Sequence, residues 1–232
     1  MTDEFSDEAM SNGDMSKVRV HIAASLDGYL AGPNQSMEEP LGEGGERLHD
    51  WLVELKAWRE PSGMEGGAVN ENTAVVDEAF GNVGAEIMGR GKFGPPERGP
   101  WGDDPWQGWW GENPPFRKPV FVLTHHPREP LTLADTTFTF VTDGIESALQ
   151  QAREAAGEKD VYIGGGAKTI NQYLAAGLVD EVELHVAPML LGGGARLFDG
   201  VGPLNLELVR MIEAPGVSHL KYRVSSGGKT RE

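Results

Sequence analysis

The chain has 232 residues, of which 39% are hydrophobic, so its length and composition fit one domain with a sizeable apolar core. Its formal net charge of -16 argues against DNA or RNA as the main ligand, because nothing in the sequence resembles a basic stripe. The absence of cysteine excludes disulfides, thiolate metal sites and a cysteine nucleophile.

Helices and strands are predicted to alternate between two tails. Residues 1–16 are polar and acidic and are expected to form a disordered tail, and 225–232 also resemble a tail, which leaves one domain over 17–224. Apolar periodicity predicts the elements of the first half. In chain order these are a strand at 18–22, a helix at 45–59, a loop at 61–72, a helix at 74–80, and strands at 85–88, 120–124 and 137–141.

The second half changes from helix-strand alternation to strands alone. Asp143 and Glu146 have the spacing of a capping box, which predicts the start of a helix. A strand at 161–163 leads into a helix at 167–176, with Gly177 as its C-terminal cap. Alternation then predicts strands near 182–186, 204–208 and 217–224, the last two forming a hairpin. The expected fold is α/β, with a mostly parallel central sheet and an antiparallel C-terminal hairpin.

Two glycine-containing segments indicate where a ligand binds. Gly164, Gly165 and Gly166 follow an apolar strand and lead directly into a helix, where free backbone N–H groups suit an anion. A second segment, Ile87-Met-Gly-Arg90, also ends an apolar run. The pair suggests a dinucleotide held by glycine amides and an arginine, although Arg90 has the alternative of being a solvated surface arginine.

The order of four motifs resembles the dihydrofolate reductase superfamily. The motifs are Ser25-Leu-Asp-Gly-Tyr-Leu-Ala-Gly32, Met88-Gly-Arg90, Thr124-His125 and Ile163-Gly-Gly-Gly-Ala167. Gly177-Leu-Val-Asp-Glu181 and Pro188-Met-Leu-Leu-Gly192, followed by Leu197-Phe198, are typical of stand-alone relatives of the reductase domain of bacterial riboflavin biosynthesis. The resemblance covers about 17–224 and implies a three-layer dihydrofolate-reductase-like fold. It also implies NADPH as cofactor, and a cis peptide bond within the glycine run.

The resemblance also implies roles for individual residues. Arg90, Thr124 and His125 would surround the 2′-phosphate, the two glycine segments would hold the pyrophosphate, and the end of the first strand would face the nicotinamide. The residues expected to bind NADPH are Ala23, Ala24, Gly89, Arg90, Gly91, Lys92, Thr124, His125, Ile163, Gly164, Gly165, Gly166, Ala167 and Thr169. Gly91-Lys-Phe93 departs from the family pattern, which usually has bulkier, hydroxyl-bearing residues there.

A reductase also needs a proton donor, and the sequence leaves several open. The candidates are Asp27, Glu46, Asp50 and an ordered water, with Asp27 equally interpretable as a turn residue. An insert at 94–116 holds four of the six tryptophans. It is either a packing or dimer element or a wall over a flat substrate, with Trp109 and Trp110 as the expected substrate contacts.

The expected function is an NADPH-dependent reductase that transfers a hydride to a small planar or heterocyclic substrate. The alternative is a non-catalytic nucleotide-binding protein on the same fold. A homodimer is expected through the late strands and Leu190–Phe198, because Met189, Leu190, Leu191 and Phe198 are apolar residues that need a cover. No metal, nucleic acid or membrane partner is expected, and the cytoplasm is the expected location.

Overall fold

The computed structural model describes residues 16–60, 63–95, 99–103 and 105–225, so both predicted tails lie outside the described residues except at 16 and 225. Its strands are β1 (Val18–Ser25), β2 (Tyr29–Ala31), β3 (Val83–Gly89), β4 (Pro119–Leu123), β5 (Leu131–Leu133), β6 (Thr136–Val141), β7 (Asp160–Gly165), β8 (Glu181–Ala187), β9 (Ala195–Arg196), β10 (Asn205–Ala214) and β11 (Val217–Ser225). Its helices are a short 3₁₀ helix (Gly45–His49), α1 (Asp50–Val53), α2 (Lys56–Arg59), α3 (Glu71–Gly81), α4 (Arg90–Phe93), α5 (Ile145–Ala156) and α6 (Ala167–Ala175).

One sheet of nine strands organises the domain, in the order β10-β11-β8-β1-β7-β3-β4-β6-β5. The strands from β8 to β6 run parallel to one another. The hairpin β10–β11 joins one edge antiparallel to β8, and β5 joins the other edge antiparallel to β6. The predicted α/β class, the mostly parallel sheet and the C-terminal hairpin are therefore confirmed.

The two faces of the sheet carry different layers because side chains alternate along each strand. One face packs against α5 and α6, where Ile87 and Ile163 of the sheet meet Ile170 and Tyr173 of α6 in one buried cluster. On the opposite face, α1 and α3 pack near the hairpin, where Trp51 and Leu55 meet Val217. Part of the insert 94–116 packs over β4 and β6 on that same face. This arrangement gives the three layers that the resemblance implies.

The predicted continuous helix at 45–59 is wrong, because it is divided into the 3₁₀ helix, α1 and α2. Leu55 is extended, with φ -74° and ψ 141°, and it bridges to Ala68 instead of continuing the helix. The amide of Lys56 donates to the carbonyl of Ala68 over 2.9 Å, and a Cβ on Gly67 would lie 2.6 Å from that amide nitrogen. A distant segment therefore competes for the backbone groups that a helix would use.

Other boundaries also differ from the predictions. The helix α3 begins at Glu71 because Asn70 caps it, so the predicted loop at 61–72 ends earlier than expected. The capping box predicted for α5 is wrong, since Gly144 occupies the cap position and the Asp143 carboxylate accepts from the Thr142 hydroxyl instead. The strand predicted at 204–208 begins at Asn205 and is longer, and the short strands β2, β5 and β9 lack a recognisable periodic pattern.

The cap predicted after α6 is confirmed. Gly177 has φ +67°, and its amide donates to Leu174 while the amide of Leu178 donates to Tyr173. This pair of hydrogen bonds is a Schellman motif, in which a glycine adopts the left-handed conformation without a Cβ penalty.

The apolar residues around 190 are less exposed than predicted. Met189 and Leu191 pack within the chain against Ala23, Leu48 and Ala187, so the expectation that they need a cover from a partner is wrong. Leu190 and Phe198 do remain exposed. Among the described residues, no helix has both the length and the apolar character to cross a membrane.

Candidate active site

An open cleft of about 1950 Å³ runs along the carboxyl ends of the central parallel strands. Ligands commonly bind at this edge of α/β sheets, where the loops after neighbouring strands meet. The predicted site residues that line the cleft are Ala23, Gly89, Arg90, Gly91, Lys92, Thr124, His125, Gly164, Gly166, Ala167, Thr169, Trp109 and Trp110. The structure thus brings together segments that are separated by up to 146 positions in the chain.

Three of the predicted cofactor-binding residues lie next to residues that line the cleft but are not part of the lining themselves. Ala24 and Ile163 belong to the buried cluster on the α5–α6 face, so only their backbone groups are available to a ligand. Gly165 lies between two lining glycines and is itself buried.

The glycine run forms a sharp turn between β7 and α6. Gly165 has φ +110°, a region that favours glycine, and the peptide bond between Gly165 and Gly166 is cis, as the resemblance implies. Gly166 is the N-cap of α6 and offers no side chain to cap the helix. Backbone N–H groups of the first helical turn consequently remain available at the cleft, where an anion would suit them.

An ion pair between half-buried Lys92 and buried Glu86 lies beneath this turn. The ammonium of Lys92 lies 2.9 Å from Glu86 Oε1 and donates to the carbonyl of Gly164 over 2.9 Å, which links β3 to β7. A Cβ on Gly164 would lie 2.1 Å from Glu86 Oε1, so the pair requires glycine there. Similarly, a Cβ on Gly89 would lie 2.2 Å from the Thr169 hydroxyl. These glycines and Lys92 shape the floor of the cleft as well as line it.

Arg90 lies in a pocket made by the tryptophan-rich insert. Its guanidinium carbon lies 3.8 Å from the centre of the Trp101 ring, and the residue is only 8% exposed. The alternative of a solvated surface arginine is therefore wrong. Trp101 is held in turn, because its indole N–H donates to the carbonyl of His126 over 2.9 Å and Arg128 lies over the same ring at 4.9 Å.

Thr124 and His125 lie beside this arginine at the end of β4. The Thr124 hydroxyl accepts from the backbone N–H of His126 over 3.2 Å, which orders the turn, while His125 is exposed. Arg90 and Arg128, which both lie over the Trp101 ring, form a local basic region next to these two residues in a strongly acidic chain.

The insert packs mainly on its own domain. Trp110 stacks on Phe138, with ring centres 6.1 Å apart, and meets Phe116 edge-on at 4.6 Å. The Trp106 indole donates to the carbonyl of Phe93 over 2.9 Å. Trp109 and Trp110 nevertheless line the cleft, so packing and a role as a cleft wall are compatible.

None of the three predicted carboxylates is placed or protonated as a proton donor would be. Asp27 accepts from the Ser25 hydroxyl, the amide of Leu191 and the amide of Gly192, over 2.6, 3.1 and 2.7 Å. The Ser25 hydrogen bond and these amides lower the pKa of Asp27 to about 2, so it is ionised at neutral pH and its contacts favour the turn interpretation. Glu46 and Asp50 are exposed and do not line the cleft.

A group of histidines in the cleft was not predicted. His21, His49 and His185 line it, and His21 stacks on Tyr162 with ring centres 3.9 Å apart. Burial lowers the pKa of His21, His49 and His185, and for His185 it does so to about 3. In the sequence, histidine occupies one of the positions that alternate with apolar residues in both β1 and β8. Local periodicity does not reveal that these two strands are neighbours, so the sequence did not predict that His21 and His185 lie close together.

Comparison with known proteins agrees with the fold. The model of the RibD C-terminal domain family matches residues 16–217. Two uncharacterised Bacillus subtilis proteins are similar: YyaP is 31% identical over 104 residues, which are 42% of this chain and 55% of YyaP, and YwjB is 28% identical over 190 residues, which are 78% of this chain and 82% of YwjB. The match thus spans only about half the length of YyaP.

Solved structures with low identity share the fold. A putative riboflavin biosynthesis protein from Shewanella has a TM-score of 0.60 at 23% identity, with 90% of this chain and 99% of that chain covered. RibD of Acinetobacter baumannii has a TM-score of 0.53 at 20% identity, covering 91% and 58%. Dihydrofolate reductase of Enterococcus faecalis has a TM-score of 0.51 at 12% identity, covering 90% and 97%. With a dihydrofolate-reductase-like fold and a family match over most of its length, the chain belongs to the RibD C-terminal domain family of reductase-like domains.

Proposed function

We propose that this protein is a reductase that uses NADPH to reduce a C=N or C=O group of a small planar or heterocyclic substrate. The observation that carries the proposal is the convergence of the glycine turn, the start of α6 and Arg90 at one edge of the parallel sheet. An anionic dinucleotide needs such a local basic and amide-rich region, because the chain as a whole carries a formal charge of -16.

The shape of the cleft fits a dinucleotide. A Cβ at Gly166 would meet nothing within 4 Å, so the space in front of α6 is open to a pyrophosphate. Arg90, held against Trp101, has the planar donor geometry that suits the 2′-phosphate. The small side chain of Ala23 at the end of β1 leaves room for the nicotinamide ring. NADPH would supply the hydride, while the protein aligns the two reactants and limits the access of water.

The part of the cleft around His21 and His185, which we call the substrate arm, suits a flat substrate. Trp51, Phe80 and Tyr162 line it together with His21 and His185. Mostly aromatic walls with a few polar groups are typical of sites for planar small molecules. Since Asp27, Glu46 and Asp50 lie outside the lining, we propose that water delivers the proton that accompanies the hydride.

The first experiment tests cofactor preference. Arg90→Ala should weaken NADPH binding by about 1–3 kcal/mol, the scale of a charge-assisted hydrogen bond, and NADH binding much less. Isothermal titration calorimetry with both cofactors measures the difference. Arg153→Ala, which removes an exposed arginine of α5 outside the cleft, is the matched control. Equal losses for NADPH and NADH would contradict the role of Arg90.

The second experiment tests for chemistry. Loss of NADPH absorbance in the presence of pterins, quinones and aldehydes would support a reductase. Tight NADPH binding without turnover of any compound would instead favour the alternative of a non-catalytic nucleotide-binding protein.

A further inference from the structure

A chain of hydrogen bonds runs from the cleft into the protein through two histidines and an asparagine. His185 of β8 and His219 of β11 are opposite each other in the sheet, with their Nδ1 atoms 2.8 Å apart. His219 Nε2 lies 2.8 Å from Asn72 Oδ1, and Asn72 Nδ2 donates to the carbonyl of Pro215 over 3.2 Å. His185, His219 and Asn72 are all buried.

The hydrogen bond between Asn72 and Pro215 determines which nitrogens of the two histidines carry protons. A carbonyl can only accept, so Asn72 must turn its amide nitrogen to Pro215 and its oxygen to His219. Nε2 of His219 therefore carries a proton. A neutral imidazole has one N–H, so Nδ1 of His219 must accept, and Nδ1 of His185 must donate to it.

Burial keeps both rings neutral. Desolvation lowers the pKa of His185 to about 3 and that of His219 to about 4. At neutral pH the only tautomer of His185 that fits its partner has the proton on Nδ1 and a lone pair on Nε2.

We propose that Nε2 of His185 is a fixed hydrogen-bond acceptor that selects substrates with an N–H or O–H donor, and that His219 and Asn72 are positioning residues for it. The proposal rests on the reductase function proposed above, because it assigns the substrate to this arm of the cleft. His185 lines the cleft beside Trp51, whose ring centre is 5.2 Å away. No hydrogen bond to Nε2 of His185 is formed within the part of the chain that the structure describes.

A second observation points to a polar ligand at the same place. Nε2 of His21 and Nδ1 of His49 are buried without a hydrogen-bond partner among the described residues, and both side chains line the cleft. The His21 ring centre lies 6.2 Å from that of His185. Buried polar atoms are normally paired, so these two unpaired nitrogens on residues that line the cleft favour a polar ligand there.

The first test needs neither cofactor nor substrate. Nitrogen-15 spectra of the imidazoles in the full chain at pH 7.5 should show the Nδ1–H tautomer for His185 and the Nε2–H tautomer for His219, with assignments from His185→Gln and His219→Gln. An Nε2–H tautomer for His185 would overturn the proposal while leaving the reductase function untouched.

The second test uses two flat probes, quinazoline-2,4-dione and its 1,3-dimethyl analogue, in which methyl groups replace the two N–H donors, each with NADP⁺ present. The parent compound should bind roughly tenfold more tightly, the scale of one hydrogen bond, and should shift the Nε2 resonance of His185. Equal binding, or an unchanged Nε2 resonance with the parent compound, would overturn the proposal.

Variants of His219 separate positioning from simple packing. His219→Leu removes the acceptor for Nδ1 of His185 and should abolish the preference between the probes, with NADPH binding unchanged. His219→Gln retains a carbonyl acceptor. It should therefore keep both the Nδ1–H tautomer of His185 and the preference for the parent probe. A His219→Leu variant that folds, as shown by thermal melting, and still discriminates between the probes would contradict the positioning role.

Discussion

One aromatic ring of the insert, Trp101, contributes to the orientation of Arg90. Trp101→Leu should weaken NADPH binding by about 0.5–2 kcal/mol, because the cation–π contact at 3.8 Å, which helps to orient the guanidinium, is lost. NADH, which lacks the 2′-phosphate, should bind as before. Calorimetry with both cofactors measures this, and Trp101→Phe, which keeps a ring, serves as the control. An equal loss for the two cofactors would point to general unfolding of the insert.

Two glycines of the cleft, Gly89 and Gly166, differ in whether packing requires them. Gly89→Ala would place a Cβ 2.2 Å from the Thr169 hydroxyl, whereas a Cβ at Gly166 would meet nothing within 4 Å. Gly166→Ala should therefore keep its melting temperature and weaken NADPH binding, while Gly89→Ala should melt earlier. Differential scanning calorimetry and cofactor titration distinguish the two. Normal NADPH binding by Gly166→Ala would show that the pyrophosphate does not bind in front of α6.

At the scale of elements, the insert 94–116 acts as part of a second core. Trp110→Ala should reduce the free energy of unfolding by roughly 2–4 kcal/mol, since the indole packs on Phe138 and Phe116 in the cluster beneath it. Urea unfolding followed by circular dichroism measures this change. Unchanged stability together with a raised KM would show instead that the ring serves as a substrate wall.

At the scale of the whole molecule, the buried histidines make stability depend on pH. The folded pKa values of His185 and His219 are about 3 and about 4, below the ordinary value of about 6.5. Between these values the unfolded chain binds protons that the folded chain does not. Stability is therefore complete above about pH 6.5 and falls as the pH decreases toward 4, with a limiting slope of roughly 1.4 kcal/mol per pH unit for each histidine.

Urea midpoints at pH 7.5 and pH 5.0 would test this expectation. The double variant His185→Gln/His219→Gln should show a smaller difference between the two pH values than the parent chain. The same difference in both proteins would mean that other groups govern the acid sensitivity.

The late strands are the expected contact between two copies of the chain. β10 is an edge strand whose apolar side chains are exposed, with Met211 at 69% and Leu208 at 53%, and Leu190 is also exposed at 69%. We predict a homodimer through this region, and Met211→Asp with Leu208→Asp should shift it toward monomer. Light scattering at micromolar concentration measures the mass, and a monomeric parent protein would contradict the prediction.

The sequence alone determined the mostly parallel sheet and the segments expected to bind a cofactor. Alternating apolar residues predicted most of the strands, and glycine segments after two of them predicted a shared ligand site, because both signals come from neighbouring residues. The Schellman cap at Gly177 was predictable for the same reason. The motif order further indicated the family that the comparisons confirm.

Only the tertiary structure decided how distant side chains meet. Leu55 leaves its helix to pair with Ala68, Arg90 packs on Trp101, and His219 contacts Asn72 from 147 positions away. Each of these contacts joins segments whose local patterns are independent of each other. Local periodicity specifies which face of a strand is apolar, but the neighbour on its polar face is set by the order of strands in the sheet. For that reason the sequence indicated where a cofactor would bind, while the histidines of the substrate arm became visible only when β1, β8 and β11 lay side by side.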